Sequence, residues 1–240
     1  MDKAVRASKV GKSGAARLTA LQEPQASLRS RIIEALRRAI ETGVLEPGAR
    51  LVERELCEQL KVSRTSLREA LGELQAEGIL SYSPTRRLSV SVISPADAEN
   101  AYRIRGTLEA LVVEQFIEKA SADDIAALAA AGERLKAAYR SADVDRMLVA
   151  KRAFFDRICT GARNPIAFDI ISRLILRTSG LRRRSLQRRE RQAQSIKEID
   201  ILLAAIAGRD VGAARKAALT NVANSARSAL HADADERAPA

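Results

Sequence analysis

The sequence predicts a mainly α-helical fold in which three helices and a β-hairpin form an N-terminal unit, followed by an all-α bundle of six or more helices. Residues 27–93 combine apolar residues at helical spacing with one short alternating stretch. From Pro95 onward the spacing is helical alone. The composition agrees, because aromatic residues make up 3% of the chain and Ala and Leu, which favour helices, are common.

Residues 53–78 have the spacing of two helices joined by a tight turn. The first covers residues 53–60, and the second opens at Ser63, whose hydroxyl can accept a hydrogen bond from a free amide of the first turn. The apolar residues of the second helix form one stripe at i, i+3, i+4 and i+7: Leu67, Ala70, Leu71 and Leu74. Gly78 then ends the helix.

The face opposite this stripe carries Thr65 and Arg68, and Arg64 lies on its flank. Arginine can bind guanine through two hydrogen bonds, and hydroxyls and amides at a helix start can hold phosphate. The arrangement therefore suits insertion into the major groove of DNA. A small amphipathic helix pair with a solvated polar face gives the same spacing, so that spacing alone leaves both interpretations open.

The alternating stretch that follows predicts a half-buried two-stranded hairpin around a turn at residues 83–86. Its apolar residues are Leu80, Tyr82, Leu88, Val90 and Val92. An earlier helix, between Ser27 and Gly43, has one apolar stripe: Leu28, Ile32, Ala35, Leu36, Ala39 and Ile40. Together these elements make a winged helix-turn-helix, with Arg86 and Arg87 at the tip of the wing.

Three runs, EPGARLVEREL at 46–56, VSRTSLREAL at 62–71 and EGIL at 77–80, together resemble the GntR family of bacterial winged-helix repressors. The resemblance implies that the DNA contacts come from the helix-turn-helix and the wing: Arg54, Ser63, Arg64, Thr65, Ser66, Arg68, Arg86 and Arg87. The chain departs from the family at Arg87, where the wing turn usually has glycine, although a further arginine suits a phosphate backbone.

Behind the winged helix, helices are predicted at about 96–119, 121–140, 143–160, 165–189, 195–207 and 210–230. The first of these is expected to bury Ile104 and Leu111, among other residues. The run YRIRGTLE at 102–109, together with the pairs at 154–155, 164–165 and 205–206, resembles the FadR-like subfamily. The effector-binding bundle of that subfamily is called the FCD domain.

Many FCD bundles hold a divalent metal with one carboxylate and three histidines, on which a small organic acid sits. Here the corresponding positions carry Lys151, Phe155, Ile199 and Asn221. None of these can serve as the family's ligand, and a lysine ammonium repels a cation, so we expect no metal and no cofactor. The chain has one histidine, His231, which we expect to be a solvated side chain near the tail.

Two interpretations of this altered site remain. In the first, Phe155 and Ile199 make it apolar while Arg105, Lys151 and Asn221 supply polar groups for a carboxylate with a hydrophobic body. In the second, the two apolar side chains fill the core and no ligand binds.

The densest charge in the chain is a run of six arginines: Arg182, Arg183, Arg184, Arg188, Arg189 and Arg191. Because they surround a helix, we expect a solvated helix end whose arginines pair with acids such as Glu198 or Asp200. Contact with DNA beside the operator, or with an anionic effector, is the alternative.

The chain divides into a flexible basic arm (1–26), the winged helix-turn-helix (27–93), the FCD-like domain (94–231) and a disordered tail (232–240). The arm can be an inert tail or can touch DNA phosphate. The net charge of +11 suits a polyanionic partner. Charge counting gives +3, +2 and +6 for residues 1–26, 27–93 and 94–240, so the placement of arginines is more informative than net charge.

The remaining features concern location. No apolar run approaches the roughly 20 residues needed to span a bilayer, and the basic N-terminus lacks the apolar core of a signal peptide. The two cysteines, Cys57 and Cys159, both lie in predicted helices, which argues against a disulfide framework and for a reducing compartment. We therefore expect a cytoplasmic protein without a membrane partner.

The sequence predicts a transcriptional regulator that acts as a homodimer on a palindromic operator of double-stranded DNA, as a repressor that responds to a small anionic metabolite. The alternative is a constitutive DNA-binding protein whose helical domain only dimerises. Enzyme function is not expected, because the chain has no nucleophile–base pairing, no glycine-rich phosphate loop and no usable pair of carboxylates.

Overall fold

The computed structural model describes residues 27–83 and 86–237, and the mainly α-helical class is confirmed. The predicted basic arm lies outside the described residues. In chain order the elements are α1 (Leu28–Glu41), α2 (Glu53–Leu60), α3 (Arg64–Ala76), β1 (Leu80–Tyr82), β2 (Leu88–Val90), α4 (Pro95–Lys119), α5 (Ala122–Arg140), α6 (Val144–Ala162), α7 (Pro165–Arg177), α8 (Ser179–Gln187), α9 (Arg189–Ala207) and α10 (Val211–Arg237).

The N-terminal unit packs α1, α2 and α3 around one core, against an antiparallel hairpin in which Leu80 pairs with Val90. Its stripe on α3 is fully buried, as predicted. On α1 the buried residues are Ile32, Ile33, Leu36 and Ile40. Leu28 is 48% exposed, so its predicted place in the core is wrong: as the first residue of the helix it lies beyond the edge of the unit.

Seven helices, α4 to α10, form the second unit, with α4 packed chiefly along α10 and α6. The predicted burial of Ile104 and Leu111 on α4 is wrong, because they are 51% and 37% exposed. The helix instead faces its neighbours with smaller and aromatic residues such as Ala98, Tyr102 and Gly106. A Cβ on Gly106 would lie 3.6 Å from the side chain of Val222 on α10, an ordinary van der Waals distance.

The long helix predicted at 165–189 is in fact two helices, and α9 begins earlier than predicted, at Arg189. Thr178 separates α7 from α8, with φ −102° and ψ 14°, and its hydroxyl donates to the carbonyl of Leu174 at 2.9 Å. Arg188 is extended, with φ −79° and ψ 119°, and separates α8 from α9. These two breaks turn α8 towards the N-terminal unit, where Gly180 packs against Pro47.

At the other end of the bundle α10 continues to Arg237, into the segment predicted as a tail. Within the described ranges, the structure has no helix long and apolar enough to cross a bilayer. Cys57 and Cys159 are free thiols in the structure.

Two helical glycines give opposite predictions for stability. A Cβ on Gly161 of α6 would overlap the buried ring of Phe116, whereas a Cβ on Gly72 of α3 would meet nothing within 4 Å. Gly161→Ala is expected to lower the free energy of unfolding by about 1–3 kcal/mol through overpacking. Gly72→Ala is expected to raise it by about 0.5–1 kcal/mol, because alanine restricts the unfolded chain. Urea titration followed by circular dichroism measures both, and equal effects would contradict this account of the bundle core.

Candidate nucleic-acid interface and internal cavity

The start of α3 is held in place by a cap and by the burial of its apolar stripe. Ser63 caps the helix, its Oγ accepting from the amide of Ser66 at 3.2 Å, and the apolar stripe holds the rest of the helix in the core. The side chains of Arg64, Thr65 and Arg68 are exposed on the remaining face. A rigid helix start with exposed arginines and hydroxyls is the geometry that a DNA groove accepts.

Two of the predicted arginines are paired with acids that the sequence analysis did not single out. The Nε of Arg68 lies 2.9 Å from Glu53 Oε2, and Nη1 of Arg54 lies 3.4 Å from Glu58 Oε1. Both guanidinium groups are more than half exposed, so these pairs contribute little stability and can open when a phosphate or base competes. The spacing of 15 residues between Arg68 and Glu53 gave no local signal for their pairing.

The wing turn closes without a glycine at position 87. Arg86, with φ 56°, takes the left-handed conformation, and its amide donates to the carbonyl of Ser83 at 2.8 Å. The amide of Ser83 in turn donates to the carbonyl of Arg87 at 2.8 Å. Arg86 and Arg87 are both exposed, whereas residues 84 and 85 lie outside the described residues.

The structure brings all five predicted effector-site residues to one internal cavity of about 60 Å³. Its walls come from α4, α6, α9 and α10: Arg105, Lys151, Phe155, Ile199 and Asn221. The other lining residues were not predicted as part of the site, and they include Arg182 of α8 and Glu41 at the end of α1. The N-terminal unit therefore contributes a carboxylate to a cavity in the bundle.

The prediction that the arginine run is solvated is wrong for Arg182 and Arg191. Arg182 and Arg191 are 5% and 4% exposed. Arg191 does pair with Glu198, as expected, but in the interior, through two hydrogen bonds of 3.0 and 2.8 Å. Asn221 donates to the same carboxylate at 2.6 Å. The helix breaks at Thr178 and Arg188, described above, turn these arginines inward.

Lys151 differs from Arg191 because it has no acid partner among the described residues. In the part of the chain that the structure describes, its ammonium has neither a hydrogen-bond acceptor nor a carboxylate within ion-pair distance. Burial lowers the pKa of Lys151 well below its usual value, and the charges of Arg182, Arg191 and Arg105 lower it further, while Glu109 acts in the opposite direction. A partly buried, desolvated cation among cations is a site that an anion would stabilise.

Arg105 is almost completely buried and lies between an acid and an aromatic ring. Its Nε is 2.7 Å from Glu109 Oε1, and its guanidinium carbon lies 4.8 Å from the centre of the Tyr102 ring. Nη1 of Arg105 makes no hydrogen bond within the described residues.

Burial lowers the pKa of Arg182, and the neighbouring Glu41 counteracts that effect.

The cavity residues do not fit the metal that many FCD bundles bind. An ammonium, a phenyl ring and an aliphatic side chain cannot ligate a divalent ion, and the amide of Asn221 is engaged by Glu198. Across residues 27–83 and 86–237, no group of three or more His, Cys, Asp or Glu residues is placed to hold an ion. The absence of a metal stays a prediction.

Comparison with known proteins assigns both units. The family model described as "FCD domain" matches residues 100–224, and the model "Bacterial regulatory proteins, gntR family" matches residues 28–90. The chain belongs to the GntR family. It is a transcriptional regulator with a DNA-binding helix-turn-helix and an FCD domain, as the resemblance in the sequence implied.

Individual GntR-family relatives agree. The chain is 31% identical over 151 residues to the HTH-type transcriptional regulator McbR of Escherichia coli (strain K12), covering 63% of this chain and 68% of that protein. The solved structure of E. coli McbR/YncC matches with a TM-score of 0.75 and 27% identity, over 88% of this chain and 100% of that one. A GntR structure from Rhodococcus sp. RHA1 shares the fold, with a TM-score of 0.72 and 22% identity, over 85% of this chain and 97% of that one.

The burial of Lys151 generates a stability prediction. Lys151→Met removes a desolvated cation and is expected to raise the melting temperature at neutral pH by about 2–4 °C. Because the folded-state pKa lies below the unfolded value of about 10.5, wild-type stability rises with pH between those two values, and the variant lacks this rise.

Lys136→Met is the matched control. The side chain of Lys136 is more buried than that of Lys151, but it lies 2.8 Å from Glu133 Oε1 and pairs with Asp200, and these hydrogen bonds raise its pKa. Its replacement is not expected to stabilise the protein. Thermal melts of the three proteins between about pH 6 and pH 10, where a lysine of lowered pKa titrates, test this expectation. An unchanged or lower melting temperature for Lys151→Met would contradict the unpaired state of Lys151.

Proposed function

We propose that this GntR-family regulator is a repressor that binds a palindromic operator as a homodimer and responds to a small anionic metabolite. The observation that best supports DNA reading is the exposed face at the start of α3, where Arg64, Thr65 and Arg68 stand opposite a fully buried stripe. Two such helices in a symmetric dimer would enter successive major grooves about 34 Å apart.

In this proposal, each predicted DNA contact has a role set by its place. Arg64 and Arg68 read base edges from the first turns of α3, while Ser63, Thr65 and Ser66 bind phosphate near the helix start. Arg54 of α2 and the wing arginines bind the backbone, which positions the domain without reading sequence. Arg68 exchanges its partner Glu53 for DNA, an exchange that its exposed position makes inexpensive.

The cavity supports a carboxylate as the effector. Arg191 is already neutralised by Glu198, and Arg105 by Glu109, whereas Lys151 has no acid within ion-pair distance among the described residues. A volume of about 60 Å³ suits a compound of a few heavy atoms rather than a long acyl chain. Phe155 and Ile199 would cover its apolar part.

The second candidate function is constitutive DNA binding with a bundle that only dimerises. Burial of Ile199 in the bundle core, with Phe155 packed against it, favours this candidate, because both side chains already have apolar partners. The uncompensated charge of Lys151 favours the effector model instead, since a purely structural core gains nothing from an unpaired ammonium.

For DNA recognition, Arg64→Ala and Arg68→Ala are each expected to weaken operator binding by about 1–3 kcal/mol, since each removes a base contact. The operator would be recovered by selection from random duplexes with the purified protein, and affinities measured by fluorescence anisotropy. Arg140→Ala, which removes the same charge from an exposed position on α5, is the control. Wild-type affinity in both α3 variants would show that this face does not read DNA.

For the effector, acetate or malonate is expected to raise the melting temperature of the wild type but not of Lys151→Met. Binding should weaken as pH rises, because the anion favours protonated Lys151 and the pKa of the empty site is lowered. EDTA should leave the shift unchanged if no metal takes part. A protein that binds its operator yet is stabilised by no small carboxylate would favour the constitutive candidate.

A further inference from the structure

Glu41 connects the two units at the cavity. It is the last residue of α1, in the DNA-binding unit, yet its side chain is 13% exposed and forms part of the cavity wall. One carboxylate oxygen, Oε1, lies 3.7 Å from Nη1 of Arg182, and the other, Oε2, lies 3.8 Å from Nη1 of Arg152. The carboxylate of one unit thus sits between two guanidinium groups of the other.

These ion pairs are attractive, but neither has the geometry of a hydrogen bond. Both distances exceed hydrogen-bond length, and Glu41 Oε1 and Arg182 Nη1 are buried without a hydrogen bond among the described residues. A buried guanidinium without a hydrogen bond loses its solvation and recovers little. By contrast, Arg152 has a good hydrogen bond to Asp156, at 2.8 Å, and its guanidinium carbon lies 5.2 Å from the Phe168 ring centre. Arg182 therefore has unused binding capacity, as does Arg105, whose Nη1 also makes no hydrogen bond within the described residues.

We propose that Glu41 holds the place of the effector's carboxylate, so that the effector competes with the DNA-binding unit for Arg182 and Arg152. A free carboxylate can approach Arg182 in the bidentate geometry that the fixed end of α1 does not reach. This inference rests on the proposed effector site, and it assigns the anion subsite to the α8 side of the cavity. Lys151, which also lines the cavity, supplies further positive charge for the anion.

The consequence for the DNA-binding unit follows from what else the end of α1 contacts. Nη1 of Arg183 donates to the carbonyl of Thr42 at 2.7 Å, and the same guanidinium packs against Gly43. Once Glu41 is displaced, this contact still connects the end of α1 to α8. Near the start of α1, Arg29 pairs with Glu73 of α3, and nearer its end Arg37 donates to Glu77, just after α3, at 2.6 Å. Movement of α1 therefore reaches the recognition helix directly.

The test compares Glu41→Gln with Glu34→Gln in the full-length protein. Both changes remove one negative charge from α1 and keep the side-chain shape, but Glu34 is 63% exposed and pairs only loosely with Arg38, at 3.8 Å. Malonate is titrated by calorimetry. Glu41→Gln is expected to bind malonate at least ~5-fold tighter than the wild type, as removal of a competitor requires, and Glu34→Gln is expected to match the wild type.

A second measurement needs no variant. Malonate is expected to speed amide hydrogen exchange at residues 40–43 of the wild type, because the end of α1 loses its ion pairs. Two results together would contradict the competition: Glu41→Gln binds malonate as the wild type does, and malonate does not speed exchange at residues 40–43. The proposed effector site would still be supported by malonate binding. If neither malonate nor acetate binds any of the three proteins, the proposed effector site and the proposed competition by Glu41 are both wrong. Operator binding would still test DNA recognition separately.

Discussion

The burial of positive charge inside a helical bundle is the constraint on which this structure depends. Arginine cannot shed its proton in a protein, so each buried guanidinium needs an acid or a ligand nearby. Glu198 meets this need for Arg191, and Glu109 meets it for Arg105. Arg182 has only a distant acid supplied by another unit. The cavity is the place where this compensation is least complete, which makes it the natural position for an anion.

The same constraint explains how two separate cores communicate. Helix α1 belongs to the core of the DNA-binding unit, but its C-terminal residue compensates charge in the bundle. Glu77, just after α3, pairs with Arg37 of α1 and lies 3.7 Å from Arg173 of α7. Several contacts between the units are thus ionic, and an ionic contact can be exchanged for a ligand more readily than an apolar contact can be separated.

The sequence predicted the structural features that depend on interactions between residues close together in the chain. The cap at Ser63 and the α3 stripe follow from spacing alone, and the five effector-site residues came from the family resemblance. Neither of the breaks at Thr178 and Arg188 carries a proline. The Ser179-Gly180 pair beside Thr178 is a turn signal that the sequence analysis did not use, whereas Arg188 has no such signal. At these breaks α8 turns to pack on the N-terminal unit. Tertiary packing likewise decided which face of α4 is buried, leaving Ile104 outside. Glu41 could not be found, because its partner Arg182 is 141 residues away in sequence and on another unit.

One apolar contact bears on how such proteins diversify. Leu176 lies in α7 of the bundle, yet it is buried in the core of the DNA-binding unit beside residues of α1 and α3. A DNA-binding unit excised after Ile93 would therefore lack one side chain of its own interior and expose its neighbours to water. Grafting it onto the bundle of another regulator would require a matching leucine at that turn of the recipient helix. The two halves of the chain are modules in function but share a hydrophobic residue, so recombination between relatives is constrained at this position.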